Sequence, residues 1–220
     1  MSSETSTIQL VCFDIGGVLI RIAETWTQAC ERAGIEPPAH VKGDGEADFA
    51  GIAHAYETGR ANDQQFLEAI TTVLAGISPD QARAIIHAWL IEPYPGVGEV
   101  MDLVNATIAV TACLSNTNLL HWRQMEEDAR FAALLRRLDQ HFTSFDIGAR
   151  KPETEIFEQV EKVSALPAER ILFFDDRREN IDAAGARGWH VQLIDPYGDP
   201  AEQMRASLVT HRVLPGNGDG

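Results

Sequence analysis

Residues Leu10-Val11-Cys12-Phe13-Asp14-Ile15-Gly16-Gly17 constrain the fold more than any other stretch, because a wholly apolar run delivers one carboxylate into a glycine turn. A strand apolar on both faces is buried on both, the habit of parallel sheets covered by helices. Ligands of such sheets bind beyond the carboxyl ends of the strands, where Asp14 falls. Asp ahead of glycine is also ordinary turn chemistry after a strand, so the octapeptide alone leaves both readings open.

Later segments repeat the pattern. Residues 107–114 are β-branched and apolar enough for a core strand and end at Ser115-Asn116-Thr117-Asn118. A short extended stretch at 141–147 leads to Gly148-Ala149-Arg150-Lys151-Pro152, the apolar run 171–174 ends in Asp175-Asp176, and 191–194 reads as a last strand. Helical periodicity fills the intervals. Residues 23–33 read as a helix closing at Gly34; Phe66, Leu67, Ile70, Val73 and Leu74 share one face with Asp63 as the expected cap. Ser78-Pro79-Asp80-Gln81 reads as a capping box opening a helix that buries Ala82, Ile85, Ile86, Trp89 and Leu90. A helix is expected over 119–138, another on Ile156, Phe157, Val160 and Val163, and a third over 180–186.

Strands alternating with helices predict an α/β fold with a doubly wound, Rossmann-like parallel sheet. Roughly seventy mostly helical residues between the first two core strands are too many for a crossover and predict an inserted helical cap. The expected division is a core of 8–21 and 96–212, a cap of 22–95 and flexible termini at 1–7 and 213–220.

A formal net charge of −15 argues against nucleic acid and anionic membrane as partners, both of which attract Lys and Arg. No stretch has the length of a membrane span, and the start lacks the basic and apolar segments of a signal peptide, so the expected compartment is the cytoplasm. Cys12, Cys30 and Cys113 have no metal-like spacing and are expected as buried thiols. The seven histidines show no two-His helix spacing, which speaks against zinc.

If the strands are parallel, Asp14, Ser115, Lys151 and Asp175-Asp176 converge on one rim of the sheet. Asp14 and Asp176 can share a hard divalent cation such as Mg²⁺. Ser115, neighbouring amides and Lys151 can hold phosphate oxygens, and a carboxylate set against phosphorus can act as nucleophile. Each residue has an alternative: Ser115 and Asn116 as helix caps, Lys151 as a solvated charge, Asp175-Asp176 as carboxylates at a helix N-terminus. The convergence of all four favours a site.

The motifs at 13–19 (Phe-Asp-Ile-Gly-Gly-Val-Leu), 114–118 (Leu-Ser-Asn-Thr-Asn), 150–153 (Arg-Lys-Pro-Glu) and 173–180 (Phe-Phe-Asp-Asp-Arg-Arg-Glu-Asn) occur in the order of the haloacid dehalogenase-like superfamily, which the chain resembles over nearly its whole length. With Tyr56-Glu57-Thr58-Gly59-Arg60, their wording is most similar to the bacterial sugar-phosphate phosphatases typified by α-D-glucose-1-phosphatase. The resemblance implies Asp14 as nucleophile and Mg²⁺ ligand, the Gly16 carbonyl and Asp176 as further ligands, Ser115 and Asn116 as phosphate binders, Lys151 as stabiliser of the transferring group, and Asp175 and Asn180 as near neighbours. It implies hydrolysis of a small phosphorylated metabolite, by a monomer or weak dimer, under a substrate-selecting cap. One departure stands out: most phosphatases of the superfamily carry an acid/base Asp where this chain has Gly16. The leaving oxygen must then depart as an anion or be protonated by another group, with His54 or Tyr56 as first candidates. The same departure admits two rivals, a metal-independent 2-haloacid dehalogenase and a non-catalytic binding protein.

Overall fold

Five parallel strands form the centre of the structure, a computed structural model that describes residues 7–38 and 46–216. β1 (Leu10–Phe13) lies in the middle, between β4 (Val110–Ser115) and β6 (Ile171–Asp175); β5 (Gln140–Thr143) flanks β4 and β7 (His190–Leu193) flanks β6. Phe13 pairs with Cys113 on one side and Phe174 on the other, so the three central strands end level. Side chains alternate across the sheet. Val11, Phe13, Leu172 and Phe174 pack towards α5 (Val97–Asn105) and α11 (Pro200–Thr210), and Leu10, Cys12, Ile171 and Phe173 towards α9 (Thr154–Ser164) and α10 (Arg178–Ala186). Phe13 and Phe174, both wholly buried, stack with centroids 5.5 Å apart, and truncating either to Ala would cost about 3–5 kcal/mol.

The segment between β1 and β4 holds β2 (Ile20–Ile22), α1 (Trp26–Arg32), α2 (Glu46–Glu57), α3 (Asp63–Val73), α4 (Pro79–Trp89) and β3 (Leu90–Pro93) before α5. Its helices bury an apolar cluster of their own, including Cys30, Tyr56, Phe66, Ile70 and Ile85, which meets the sheet layer through Leu120. The capping box of Ser78 with Gln81 forms as expected. Asn62, rather than Asp63, caps α3, with Gln65 closing a second capping box; Asp63 is the first helical residue.

Several boundaries differ from expectation for local reasons. Leu90 leaves the helix face and opens β3, which pairs antiparallel with β2, a short ribbon unforeseen in the sequence. The helix expected over 119–138 breaks at Asp128, whose side chain accepts from Arg130 N at 2.9 Å, giving α6 (Leu119–Glu127) and α7 (Ala129–Leu135). The stretch 141–147 is β5 followed by the one-turn helix α8 (Ser144–Ile147). Of the ends expected to be flexible, residues 1–6 and 217–220 lie outside the described residues, while Val213 and Leu214 are buried against the α5–α11 layer. The three cysteines are free and buried. Among the described residues no helix is long and apolar enough to cross a membrane.

Candidate active site

Because β1, β4 and β6 end level, the residues just past them share one rim. Asp14 N donates to Phe174 O at 2.8 Å, which carries the β1–β6 ladder one step beyond the strand and seats Asp14 beside Asp175. Lys151, 1% exposed on the loop after α8, projects its ammonium into the gap. Nζ lies 2.9 Å from Asp14 Oδ1 and 2.7 Å from Asp175 Oδ2, and donates to Leu114 O at 2.7 Å. Burial alone would lower this ammonium; Asp14 and Asp175 outweigh it and hold it above the usual lysine value. Lys151 is therefore no solvated charge.

The two acids of the Asp175-Asp176 pair differ. Asp175 is wholly buried, and besides Lys151 it accepts from Arg177 N at 2.8 Å and from Asn180 Nδ2 at 3.0 and 3.1 Å. Every oxygen has a protein donor, so Asp175 supports the site from below. Asp176 lines the cavity, and its carboxyl is raised first by burial and then by neighbouring Asp175. Burial also pushes Asp14 up, to about 7, against the pull of Lys151. Asp14, Asp175 and Asp176 bring ligand atoms within 4.8 Å of one another. Gly17 is required here: its φ is +76°, and a Cβ would stand 2.5 Å from Asp176 Oδ2.

The residues expected to bind phosphate also gather at this rim. Ser115, 3% exposed, lines the cavity. Asn116 lines the cavity and has a second engagement. Its amide donates to Lys151 O at 2.9 Å and accepts from Lys151 N at 2.7 Å, which clamps the lysine's backbone and uses one of its two amide hydrogens. The cap of α6 is Asn118, accepting from His121 N at 3.0 Å, and neither Ser115 nor Asn116. Gly16 lies in the rim, and a Cβ there would meet the Ile22 side chain first, its Cδ1 at 3.1 Å. Arg150 and Arg177 reach the cavity, whereas Arg178 is not among its lining residues.

The cavity is about 590 Å³ and lies between the rim and the inserted segment, which contributes Trp26, Glu57, Ile86 and Trp89. Glu57, which the sequence shows only as part of the 56–60 motif with no role attached, also lines the cavity; His54 and Tyr56, which precede it on α2, do not. His121 does line it, but its ring nitrogens meet Asn118 Nδ2 at 3.1 Å and Ile86 O at 2.9 Å, and burial lowers it to about 4. It stays neutral and engaged.

Comparison with known proteins agrees with this geometry. Residues 8–188 match the family model described as haloacid dehalogenase-like hydrolase. An enolase-phosphatase E1 of Pectobacterium carotovorum is 36% identical over 72 residues, 32% of this chain and 31% of that protein, so the match spans about a third of the curated relative. A haloacid dehalogenase family enzyme of Bacteroides thetaiotaomicron, solved with magnesium and inorganic phosphate, shares the fold with a TM-score of 0.71 at 22% identity, over 84% of this chain and 93% of that one. An L-2-haloacid dehalogenase shares it at 0.64 and 19%, over 87% of each chain. These two likenesses concern the fold alone. With the family model spanning most of the chain and its four motifs meeting at one rim, the protein belongs to the haloacid dehalogenase-like hydrolase family.

Proposed function

We propose that the protein is a Mg²⁺-dependent phosphatase that hydrolyses a small phosphate ester, a sugar phosphate by preference, through an aspartyl-phosphate on Asp14. The observation that carries this reading is a charge imbalance: three carboxylates share the rim with one ammonium, and Lys151 and Asn180 already hold Asp175. Asp14 and Asp176 are left facing the cavity with excess negative charge, raised by burial. Two carboxylates without imidazole or thiolate fit a hard cation that keeps waters and phosphate oxygens as further ligands. The Gly16 carbonyl would complete the protein's share. Bound there, Mg²⁺ would neutralise phosphate charge and let the anionic ester approach an anionic nucleophile.

The remaining steps belong to the chain. Asp14 attacks phosphorus, with Lys151 holding its carboxylate in place and stabilising the transferring group. The Ser115 hydroxyl and nearby main-chain amides bind phosphate oxygens, and Asn116 clamps the Lys151 backbone. Water then cleaves the acyl phosphate. The inserted segment serves as the cap, and Trp26 and Trp89, edge to face at 5.0 Å, give its roof an aromatic surface suited to a sugar ring. The motif resemblance to sugar-phosphate phosphatases supports the same substrate class.

The dehalogenase reading shares the fold and Gly16, and the Asp176 carboxylate facing the cavity favours the phosphatase. The test is an aryl phosphate and a 2-haloacid, each with Mg²⁺ and with chelator. Phosphate release that requires Mg²⁺, without halide release, is expected. Halide release unaffected by chelator would overturn the assignment.

The asymmetry of the acidic pair gives a further expectation. Asp176→Ala should weaken Mg²⁺ by at least about 10–100-fold while leaving the melting temperature near wild type. Asp175→Ala strips partners from buried Lys151 and Asn180, so its first effect should be a lowered melting temperature. Calorimetric metal titration beside thermal unfolding separates the two, and reversed results would exchange the roles.

A further inference from the structure

The loop that carries Asp14 has no proton donor, since position 16 is glycine. The two cap residues nearest in sequence to that task are directed elsewhere. Tyr56 is 2% exposed, its hydroxyl donating to Asp63 Oδ1 at 2.7 Å and accepting from Leu120 N at 3.2 Å. His54 lies 3.8 Å from Glu153, outside the cavity lining. Glu57, the last residue of α2, lines the cavity together with Asp14, Ser115, Lys151 and Asp176.

Its neighbours hold it there. The two Tyr56 hydrogen bonds tie the helix end to α3 and α6, and the Thr58 hydroxyl donates back to His54 O at 2.7 Å. Gly59, at φ +67°, lets the chain pass so close to α8 that a Cβ would stand 2.7 Å from Phe145 O. The helix end is thereby pressed against the core. Glu57 itself is incompletely satisfied: Oε2 is buried and lies 3.0 Å from Arg150 Nη1 as an ion pair, without the geometry of a hydrogen bond. Burial raises the carboxyl, against Arg150, Lys151 and Arg177, which lower it. Such a group can keep a proton where an exposed glutamate would have lost it.

We propose that Glu57 is the general acid and base of this site, a catalytic residue supplied by the inserted helices in place of a side chain at position 16. The proposal rests on the phosphatase reading. In the first half-reaction the Asp14 carboxylate forms a bond to phosphorus as the ester P–O bond breaks. The Glu57 carboxylic acid gives its proton to the departing oxygen, yielding the free alcohol, aspartyl-phosphate and a Glu57 carboxylate. In the second, that carboxylate takes a proton from the water that attacks phosphorus. Inorganic phosphate leaves, and Asp14 and protonated Glu57 are restored.

The experiment compares p-nitrophenyl phosphate, whose leaving group needs no proton, with ethyl phosphate, whose leaving group does. Both are followed in single turnover at saturating Mg²⁺. Glu57→Gln should lose about 10²-fold or more on ethyl phosphate and less than about 5-fold on the first step with the aryl ester. With the aryl ester in excess it should also release one equivalent of nitrophenol in a burst, because dephosphorylation of Asp14 lacks its base. Adding Gly16→Asp to Glu57→Gln should restore ethyl phosphate turnover and abolish the burst; that carboxylate enters beside the movable Ile22 tip. Asp63→Asn is the structural control, since it disturbs the Tyr56 and Arg123 contacts at the same helix end, outside the cavity lining. It should slow both esters alike. Equal losses on both esters in Glu57→Gln without a burst, or the same selective loss in Asp63→Asn, would overturn the role of Glu57 while leaving the phosphatase standing. A wild type inert towards both esters would overturn the phosphatase reading itself, and Glu57's role with it.

Discussion

Asp14→Asn is expected to abolish ester turnover, by at least about 10⁴-fold, while the protein folds with near-normal stability. The amide has the carboxylate's shape and still offers an oxygen to Lys151 Nζ and to Ile15 N, which now donates to Asp14 Oδ1 at 2.7 Å. What it lacks is nucleophilicity and charge. The same substitution should alter how Mg²⁺ binding responds to pH. Burial holds the Asp14 carboxyl at about 7, so metal entry must release a proton below that pH. Apparent Mg²⁺ affinity of the wild type should therefore climb as pH rises from 6 to 8, and Asp14→Asn should flatten this rise. Substantial phosphatase activity in the asparagine variant would remove Asp14 from the role of nucleophile. A flat wild-type affinity profile would mean that the carboxylate is already ionised across this range.

Lys151→Met should do the most damage to the fold. The ammonium sits between two carboxylates and a main-chain carbonyl, at 2.9, 2.7 and 2.7 Å, with 1% of the residue exposed. Removing one member of a buried ion pair leaves uncompensated charge and costs about 3–5 kcal/mol, a large share of a stability of about 5–15 kcal/mol. The sign of its pH dependence follows from Asp14. The share of the attraction that comes from Asp14 is present only when Asp14 is ionised, and burial holds that carboxyl at about 7, so the deficit should widen from pH 5 to pH 8. Denaturant titrations of wild type and variant at the two pH values measure it. A deficit under about 1 kcal/mol at pH 8 would place the pair in the class of weak, solvated ion pairs. Activity should vanish together with stability, because the same ammonium is paired with the proposed nucleophile at 2.9 Å.

The parts of this arrangement that could be read from the sequence are those encoded by neighbours in the chain. β1, β4 and β6 are apolar runs that break at polar residues, and their order fixes which side chains meet at the rim. The capping box at Ser78 is equally local. Contacts between distant residues left no such mark. The β2–β3 ribbon joins residues about seventy positions apart with three or four residues on each side, too few for a visible alternation. The motif resemblance bears only on a phosphate role for Asn116; the fold alone reveals that its side chain also clamps Lys151, 35 positions away. Glu57 was hidden for a related reason. A glutamate at a helix end is unremarkable until the packing of Tyr56 and Gly59 determines which surface it faces.

The β2–β3 ribbon also bears on how this protein can diverge. Ile22 pairs with Leu90, and Ala23 N donates to Trp89 O at 2.8 Å, so the inserted helices leave and rejoin the core side by side. The sheet registers only a closed gate at that point, whatever lies beyond it. Lengthening a flexible connection between fixed ends costs only about 0.6 kcal/mol per doubling, so whole helices can be gained, lost or exchanged there with little effect on the strand ends. Substrate preference can drift through such exchanges while Asp14, Lys151 and Asp176 stay in place. If Glu57 is the proton donor, part of the reaction chemistry travels with the exchangeable piece, and a graft at Ile22 and Leu90 would transplant the acid together with the pocket.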